Sequence, residues 1–465
     1  MCGERLRPCT GRIVPHLGAL PACAWALACP VPGRLEEPTL PGIQTSPIAD
    51  RERPLSGVRV VELGNFIAAP TAGRLLADFG AEVIKVERPG TGDELRNWRL
   101  YAGDTSMLFR TINRGKRSLE LDLREEHGRD VALDLLRRSD ALIENFRPGT
   151  LDRWGLGAAA LTAATPELVV ARVSAFGQTG PLSSRPGFAA VAEAFGGMRD
   201  LVGEADRPPA RVGVSIGDSI AGLYAAFGVV MGLLDREHRR ATGAEPVAPT
   251  ARHVDVALHE AVFSMMESLV PDYSAYDVVR QRTGGRMEGI APSNAYECAD
   301  GQTVVIAANS DSIFGRFMAA IGRDDLAADE GLATNARRWL RRDELDEVID
   351  AWTRSLPRPH VLAVLDDADV PAGPIYVAAN IVTDEQYRAR GMVQHLPVDV
   401  TGRVRDVAFP GIVPVLGERS LPVTHVGPDL GADTHHVYTA ILGRDDCRCR
   451  DCRREGMRHA RLGSV

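Results

Sequence analysis

Residues 58–87 constrain the fold more tightly than any other stretch. Val58-Arg-Val-Val-Glu-Leu63 and Glu82-Val-Ile-Lys-Val-Glu87 are β-branched runs of strand length. Between them, Pro70 to Phe79 places Leu75, Leu76 and Phe79 on one helical face, and Gly80 stops the run. Two strand runs around one helix imply a parallel pair joined by a crossover. The alternation then repeats. Leu119 to Leu123 reads as a strand, Glu125 to Arg138 as a helix, Ala141 to Phe146 as a strand and Leu168 to Phe176 as another, with the pattern continuing to about residue 235. The expectation is an α/β doubly wound domain. No Gly-x-Gly-x-x-Gly follows the first strand, so a dinucleotide site of the usual kind is not expected.

The pattern changes further on. Residues 236–252 are polar and read as an exposed loop. Val254 to Val270 carries Val256, Phe263, Met266 and Leu269 at helical intervals, with the methionines read as core filler. Ala295 to Ala307 reads as a hairpin around Asp300-Gly301. Helices are expected near 311–321, 343–354 and 358–367. After Pro371-Ala-Gly-Pro374, strand-like Ile375 to Val377 leads toward a terminal helix near 432–442. The division expected is a large domain beginning with 57–270, a small domain at 285–368, and a segment at 371–443 that completes the large domain.

Composition excludes several classes. The formal net charge of −8 argues against nucleic acid as the main partner. No uninterrupted apolar run reaches about 18 residues, so no membrane span is expected. Cys2, Cys9, Cys23 and Cys29 lie near the start, Cys447, Cys449 and Cys452 near the end, and Cys298 alone between them. Such a distribution suits a reducing, cytoplasmic compartment better than a disulfide framework. Residues 1–56 are Pro- and Cys-bearing without a period and read as a disordered extension, with targeting as the alternative. Residues 444–465 read as a basic tail; Cys-x-Cys-x-x-Cys offers three thiols where a closed zinc site needs four ligands.

Chemistry concentrates at Arg211 to Ala226, Arg-Val-Gly-Val-Ser-Ile-Gly-Asp-Ser-Ile-Ala-Gly-Leu-Tyr-Ala-Ala. A β-branched run (Val212, Val214, Ile216) meets Gly217-Asp218-Ser219, and a helical pattern follows. The plain reading is that Asp218 caps a helix over 220–234. The functional reading is an open carboxylate, kept ionised by the helix dipole and approachable past Gly217, serving as a nucleophile. Arg88, just after the second strand, stands where open parallel sheets bind ligands; it reads as an anion contact or as a solvated loop arginine.

Several motifs coincide. Gly57-Val-Arg-Val-Val-Glu-Leu63, Ala77-Asp-Phe-Gly-Ala-Glu-Val-Ile-Lys-Val-Glu-Arg-Pro-Gly90, Asn113-Arg-Gly-Lys-Arg-Ser118, Glu144-Asn-Phe-Arg-Pro-Gly149, Ser174-Ala-Phe-Gly-Gln-Thr-Gly-Pro181 and Ile216-Gly-Asp-Ser219 occur in that order. Together they resemble the family III CoA-transferases of the CaiB/BaiF type, over about residues 57–442. The resemblance implies a Rossmann-like large domain, a smaller α+β domain and an interlocked homodimer. It implies that Asp218 is the catalytic nucleophile, attacking an acyl-CoA thioester to pass through covalent aspartyl intermediates. It places Asn65, Arg88, Lys116, Leu121, Asn145, Phe146 and Arg153 on CoA, with Arg88 and Lys116 at its phosphates. Phe188 falls near the acyl end, and Gly284-Gly285 is the nearest match to a glycine-rich loop over the aspartate. No metal and no cofactor beyond CoA as co-substrate are implied.

Departures narrow the reading. Formyl-CoA transferases carry glutamine where this chain has Ile67, so oxalate or formate is not expected. Racemases of the family carry histidine where this chain has Phe188, which cannot move a proton. Arg185-Pro-Gly-Phe188, Arg282-Thr-Gly-Gly285 and Ile290-Ala-Pro-Ser-Asn-Ala-Tyr296 resemble the succinyl-CoA-dependent enzymes that act on dicarboxylates such as malate, citramalate or glutarate. Arg185 then reads as the partner of a distal carboxylate, or as a surface turn residue. A homologous partner subunit, a 2-methylacyl-CoA racemase and a non-catalytic CoA-binding protein remain open at this point.

Overall fold

The computed structural model describes residues 53–445 apart from 246 and 419. Residues 1–52 of the N-terminal extension, residues 446–465 of the basic tail and the seven cysteines of those two stretches therefore lie outside the described residues; Cys298 is free and buried. Strands β1 (Arg59–Glu62) and β2 (Glu82–Glu87) flank helix α1 (Ala68–Asp78) and pair in parallel. A two-residue pair, β3 (Tyr101–Ala102) and β4 (Thr105–Ser106), precedes α2 (Met107–Ile112). Next come β5 (Lys116–Glu120), α3 (Glu126–Leu136), β6 (Ala141–Glu144), α4 (Thr150–Arg153), α5 (Ala158–Ala164) and β7 (Val169–Ser174). Helices α6 (Ala189–Phe195) and α7 (Ile216–Thr242), strand β8 (His253–Ala257) and α8 (Leu258–Phe263) close this part.

Six of these strands form one parallel sheet in the order β5-β2-β1-β6-β7-β8. Side chains alternate between its faces. Val60, Val83, Ile143, Ala171 and Val173 face α1, α7 and α8. Val61, Ile84, Leu142 and Val170 face α3, α5 and the C-terminal Val437 and Tyr438. Burial on both faces explains why these strands read as apolar runs rather than as alternating ones. The chain returns to this sheet at its end: Asp433 accepts from the Ser118 N–H (2.9 Å) and Thr434 Oγ1 from the Glu120 N–H (3.0 Å).

Before that return, the chain builds a separate sheet. Strands β9 (Ser293–Glu297) and β10 (Thr303–Ala307) form a hairpin across Asp300-Gly301, and β11 (Ala372–Pro374) pairs with β10. Gly301 has φ +71°, which a glycine takes without strain. Helices at Asp311–Ala320, Arg342–Thr353 and Arg358–Asp367 bury Phe317, Ile349 and Leu365 against this sheet. A long hairpin, β12 (Val393–Val400) and β13 (Arg403–Pro410), follows.

Five expectations need correction. The helix expected over 254–270 is strand β8, then α8, then a further helix at Leu269–Tyr276. Val254 and Val256 pack toward α7, so a two-residue period was mistaken for a helical one. The helix expected at 220–234 runs from 216 to 242, consuming part of the expected 236–252 loop, and no strand covers Val212 to Ile216. Strand β5 starts at Lys116, inside what read as a basic turn. The strand expected at 375–377 lies instead at 372–374. Finally, α7 is long and apolar enough by length and composition to cross a membrane, although no uninterrupted run announces it. One side of it, including Ala221, Ala225, Val229 and Leu233, is packed against the sheet layer.

Candidate active site

The strand order reverses between β1 and β6, and a crevice opens there beyond the carboxyl ends of the strands. A cleft of about 740 Å³ occupies this place, a size suited to a small-molecule site. The loop after β1 supplies Asn65, Phe66 and Ile67; the loop after β6 supplies Asn145, Phe146 and Arg147; the segment after β7 supplies Arg185 and Phe188. Ser215 and Asp218 close it from the start of α7.

Buried charges hold the loop after β1. Lys85 Nζ donates to Glu62 Oε1 (2.9 Å) and the Gly64 carbonyl, and pairs with Asp93 Oδ2 (2.9 Å). Burial opposes its charge, but Asp93, Glu62 and Glu87 outweigh burial and hold its pKa above the ordinary value. The Phe66 N–H donates to Asp93 Oδ1 (3.0 Å), which helps hold Phe66 at φ +63°. Asn145 braces the same turn, donating to the Asn65 carbonyl (2.8 Å) and accepting from the Asn65 N–H (2.9 Å).

Asp218 is the one carboxylate among the described residues that line the cleft. It is not the helix cap: Ser215 holds that position, and Asp218 sits in the first turn. Its carboxylate has no hydrogen bond or ion pair to any described residue. Burial, then the neighbouring Glu193, push its pKa up to about 6, while Arg211 opposes them. The expectation that the helix dipole keeps it ionised is therefore corrected, since desolvation outweighs the dipole. Glu193 is buried, lies 3.5 Å from Arg211 Nε and is not among the residues that line the cleft.

The other sequence-derived positions divide. Asn65, Asn145, Phe146, Arg185 and Phe188 line the cleft with Asp218. Lys116 does not: it is buried, and its Nζ donates to Glu62 Oε2 (2.6 Å), the Pro70 carbonyl (2.7 Å) and Asn113 Oδ1 (2.8 Å). All three donors are committed, so it cannot meet a phosphate. Burial brings its pKa down to about 8 despite Glu62. Leu121 is also a core residue, packed among the apolar side chains on the α3 side of the sheet. Arg88 is exposed and paired with Glu94 outside the cleft. Arg153 is exposed and donates to Thr150 Oγ1 (2.9 Å), again outside the cleft. Gly284 and Gly285 do not reach Asp218 within the chain; the Gly284 N–H donates to the Gly203 carbonyl (3.1 Å), and a Cβ there would meet Glu204 Oε2 at 2.5 Å.

Sequence reasoning missed Phe66, Trp98, Arg99, Arg147 and Arg211, all of which line the cleft. Arg147 and Arg211 stood inside quoted motifs, beside Phe146 and seven residues before Asp218. Trp98-Arg99 carries no periodic signal and could be placed only by the fold.

The match to known proteins agrees with this geometry. The model of CoA-transferase family III matches residues 55–434. Succinyl-CoA–D-citramalate CoA-transferase of Chloroflexus aurantiacus is 41% identical, covering 84% of this chain and 94% of that protein. The alpha subunit of succinyl-CoA–L-malate CoA-transferase of Chloroflexus aurantiacus is 35% identical, covering 86% and 91%. A CaiB/BaiF family protein from Brucella suis superposes with a TM-score of 0.72 at 33% identity, covering 84% of this chain and 99% of that one. The chain belongs to CoA-transferase family III and is an enzyme of that class.

Proposed function

We propose that this enzyme transfers CoA from succinyl-CoA to a dicarboxylate acceptor through covalent intermediates on Asp218. The observation that carries this is a cleft with one unpartnered carboxylate and four arginines, Arg99, Arg147, Arg185 and Arg211. A lone carboxylate can be the nucleophile, and guanidinium groups suit substrates that are anionic at both ends. The two Chloroflexus relatives, whose names pair succinyl-CoA with citramalate or malate, support the same substrate class.

The chemistry balances without an external acid. Asp218 attacks the thioester carbonyl, the C–S bond breaks, and a mixed anhydride and CoA thiolate form. The thiolate attacks the Asp218 acyl carbon, succinate leaves, and an aspartyl-CoA thioester remains. The acceptor carboxylate attacks that thioester to give a second anhydride, and the thiolate then takes the acceptor acyl group, freeing Asp218. The anhydrides are more activated than the thioesters, and the aspartyl-CoA thioester matches the substrate thioester, so no intermediate becomes a deep trap. Arg185, without an ion pair among the described residues, faces the remote carboxylate in this reading.

Racemization is disfavoured by composition of the site. It needs two proton-transfer groups on opposite faces of a carbon. No His, Lys, Tyr, Cys or second acid accompanies Asp218 among the described lining residues. Incubation with succinyl-CoA and a panel of acids, followed by mass spectrometry, tests the proposal. New CoA esters and a mass adduct on the Asp218 peptide are expected, both lost in Asp218→Ala. Normal turnover by a folded Asp218→Ala protein would sink it.

A further inference from the structure

We propose that Arg99 is a specificity-determining residue that holds the remote carboxylate of the acyl group, together with Arg185. This rests on the CoA-transferase reading above and extends it to a residue that no motif pointed to. Three rings form a strip in the cleft wall: Trp98 lies 5.6 Å from Phe66, and Phe66 lies 5.8 Å, edge-on, from Phe188. Each end of the strip carries an arginine close by in sequence, Arg99 beside Trp98 and Arg185 three residues before Phe188.

Neither guanidinium has an ion pair or hydrogen bond among the described residues. Arg147, on the loop after β6, is also unpaired among the described residues, whereas Arg96 is held by Glu87 and Arg114 by Asp78. Arg99 is also one of six described non-glycine residues at positive φ, at +59°, and Phe66 in the same strip is another. Backbone held in that region at a binding cleft needs surrounding structure to fix it. The strip offers aromatic surface to the methylene chain of a dicarboxylate. The arginines at its ends offer the charge that its free carboxylate requires.

The CoA positions that the family resemblance implies at Asn145 and Phe146 lie on a different wall. Asn145, Phe146 and Arg147 follow β6, away from the Trp98–Phe188 strip in sequence and on another loop. A double-displacement exchange brings donor and acceptor carboxyls in turn to Asp218, so one remote-carboxylate site serves both.

The test uses the full chain and exchange of isotope-labelled succinate into succinyl-CoA, which needs no knowledge of the acceptor. Arg99→Met should raise the KM for succinate about 10- to 150-fold, the loss of a charge-assisted pair. The Kd for free CoA should stay within about twofold. Arg99→Lys should recover part of the loss, and Arg99→Gly, which relaxes the positive φ, should not. An unchanged succinate KM in Arg99→Met overturns the assignment, as does a raised CoA Kd, which would give Arg99 to CoA. Recovery by Arg99→Gly also overturns it, because backbone strain would then be the cause of the loss. A wild-type protein that exchanges no succinate would instead overturn the CoA-transfer reading beneath it.

Discussion

In the proposed reaction Asp218 must be charged to attack, yet burial raises its pKa to about 6. Unfolded aspartate titrates near about 3.9, so between that value and 6 the folded chain binds more protons than the unfolded one. Stability from this group is therefore full below the unfolded pKa and is lost as pH rises through 6. Asp218→Asn should abolish transfer and raise stability at pH 7 by roughly 1–2 kcal/mol after discounting for solvent screening. The gain should vanish below about pH 4, where both forms are neutral. Thermal melts at pH 4 and 7 check this, and an unchanged difference would contradict it. The same shift predicts that kcat/KM falls on acidification with an apparent pKa near 6, provided chemistry limits the rate. Asp218 was legible because its motif and its place before a helical pattern coincide. Lys116 was misread because a basic cluster gives no sign of which residue turns inward. Its Nζ instead neutralises Glu62 beneath the sheet. Arg99 left no trace because its neighbours in space come from the loops after β1 and β7.

At the scale of elements, α7 carries Asp218, the proposed nucleophile, and its seat on α1 fixes where that carboxylate points. Gly222 lies one turn after Asp218 on the same side of the helix. A Cβ there would stand 2.6 Å from the Ala68 carbonyl and 2.8 Å from Thr71 Cβ. One of those contacts is backbone and cannot rotate away, so the two helices must separate. Gly222→Val should cost about 1–3 kcal/mol and lower kcat by displacing Asp218. Circular dichroism melts and single-turnover rates would show it; wild-type values for both would mean the contact is slack. The first β-α-β unit and the Asp300-Gly301 hairpin were legible because period, length and turn residues agree there. Strand β8 was not, since Val256, Phe263 and Met266 satisfy a helical spacing by accident while the chain changes element after Ala257. The β12–β13 hairpin was missed altogether. Its outward residues, including Val404 at 75% exposure, blur the alternation that marks a strand.

The whole molecule leaves apolar surface uncovered. On α7, Leu223, Phe227, Val230, Met231 and Leu234 are exposed along one outward stripe, and Tyr273, Tyr276, Val278 and Val279 are exposed as well. A stripe of this length on a 27-residue helix is more than the scattered apolar exposure of an ordinary surface. The chain also leaves its large sheet after β8, builds the small sheet and returns at Asp433 to Tyr438. A chain that leaves its sheet and rejoins it is the kind of path an interlocked pair requires, as the family resemblance implies. We infer an interlocked homodimer, and two outcomes follow. Light scattering should give twice the 50.1 kDa chain mass, and Phe227→Glu should reduce it, because a carboxylate buried in that stripe costs several kcal/mol. Linked chains cannot part without unfolding one of them, so two differently tagged dimers mixed after purification should form no mixed species over hours. Tagged copies produced together should form them freely. Rapid exchange after mixing would leave a dimer but rule out the interlock, and a monomer at micromolar concentration would remove both.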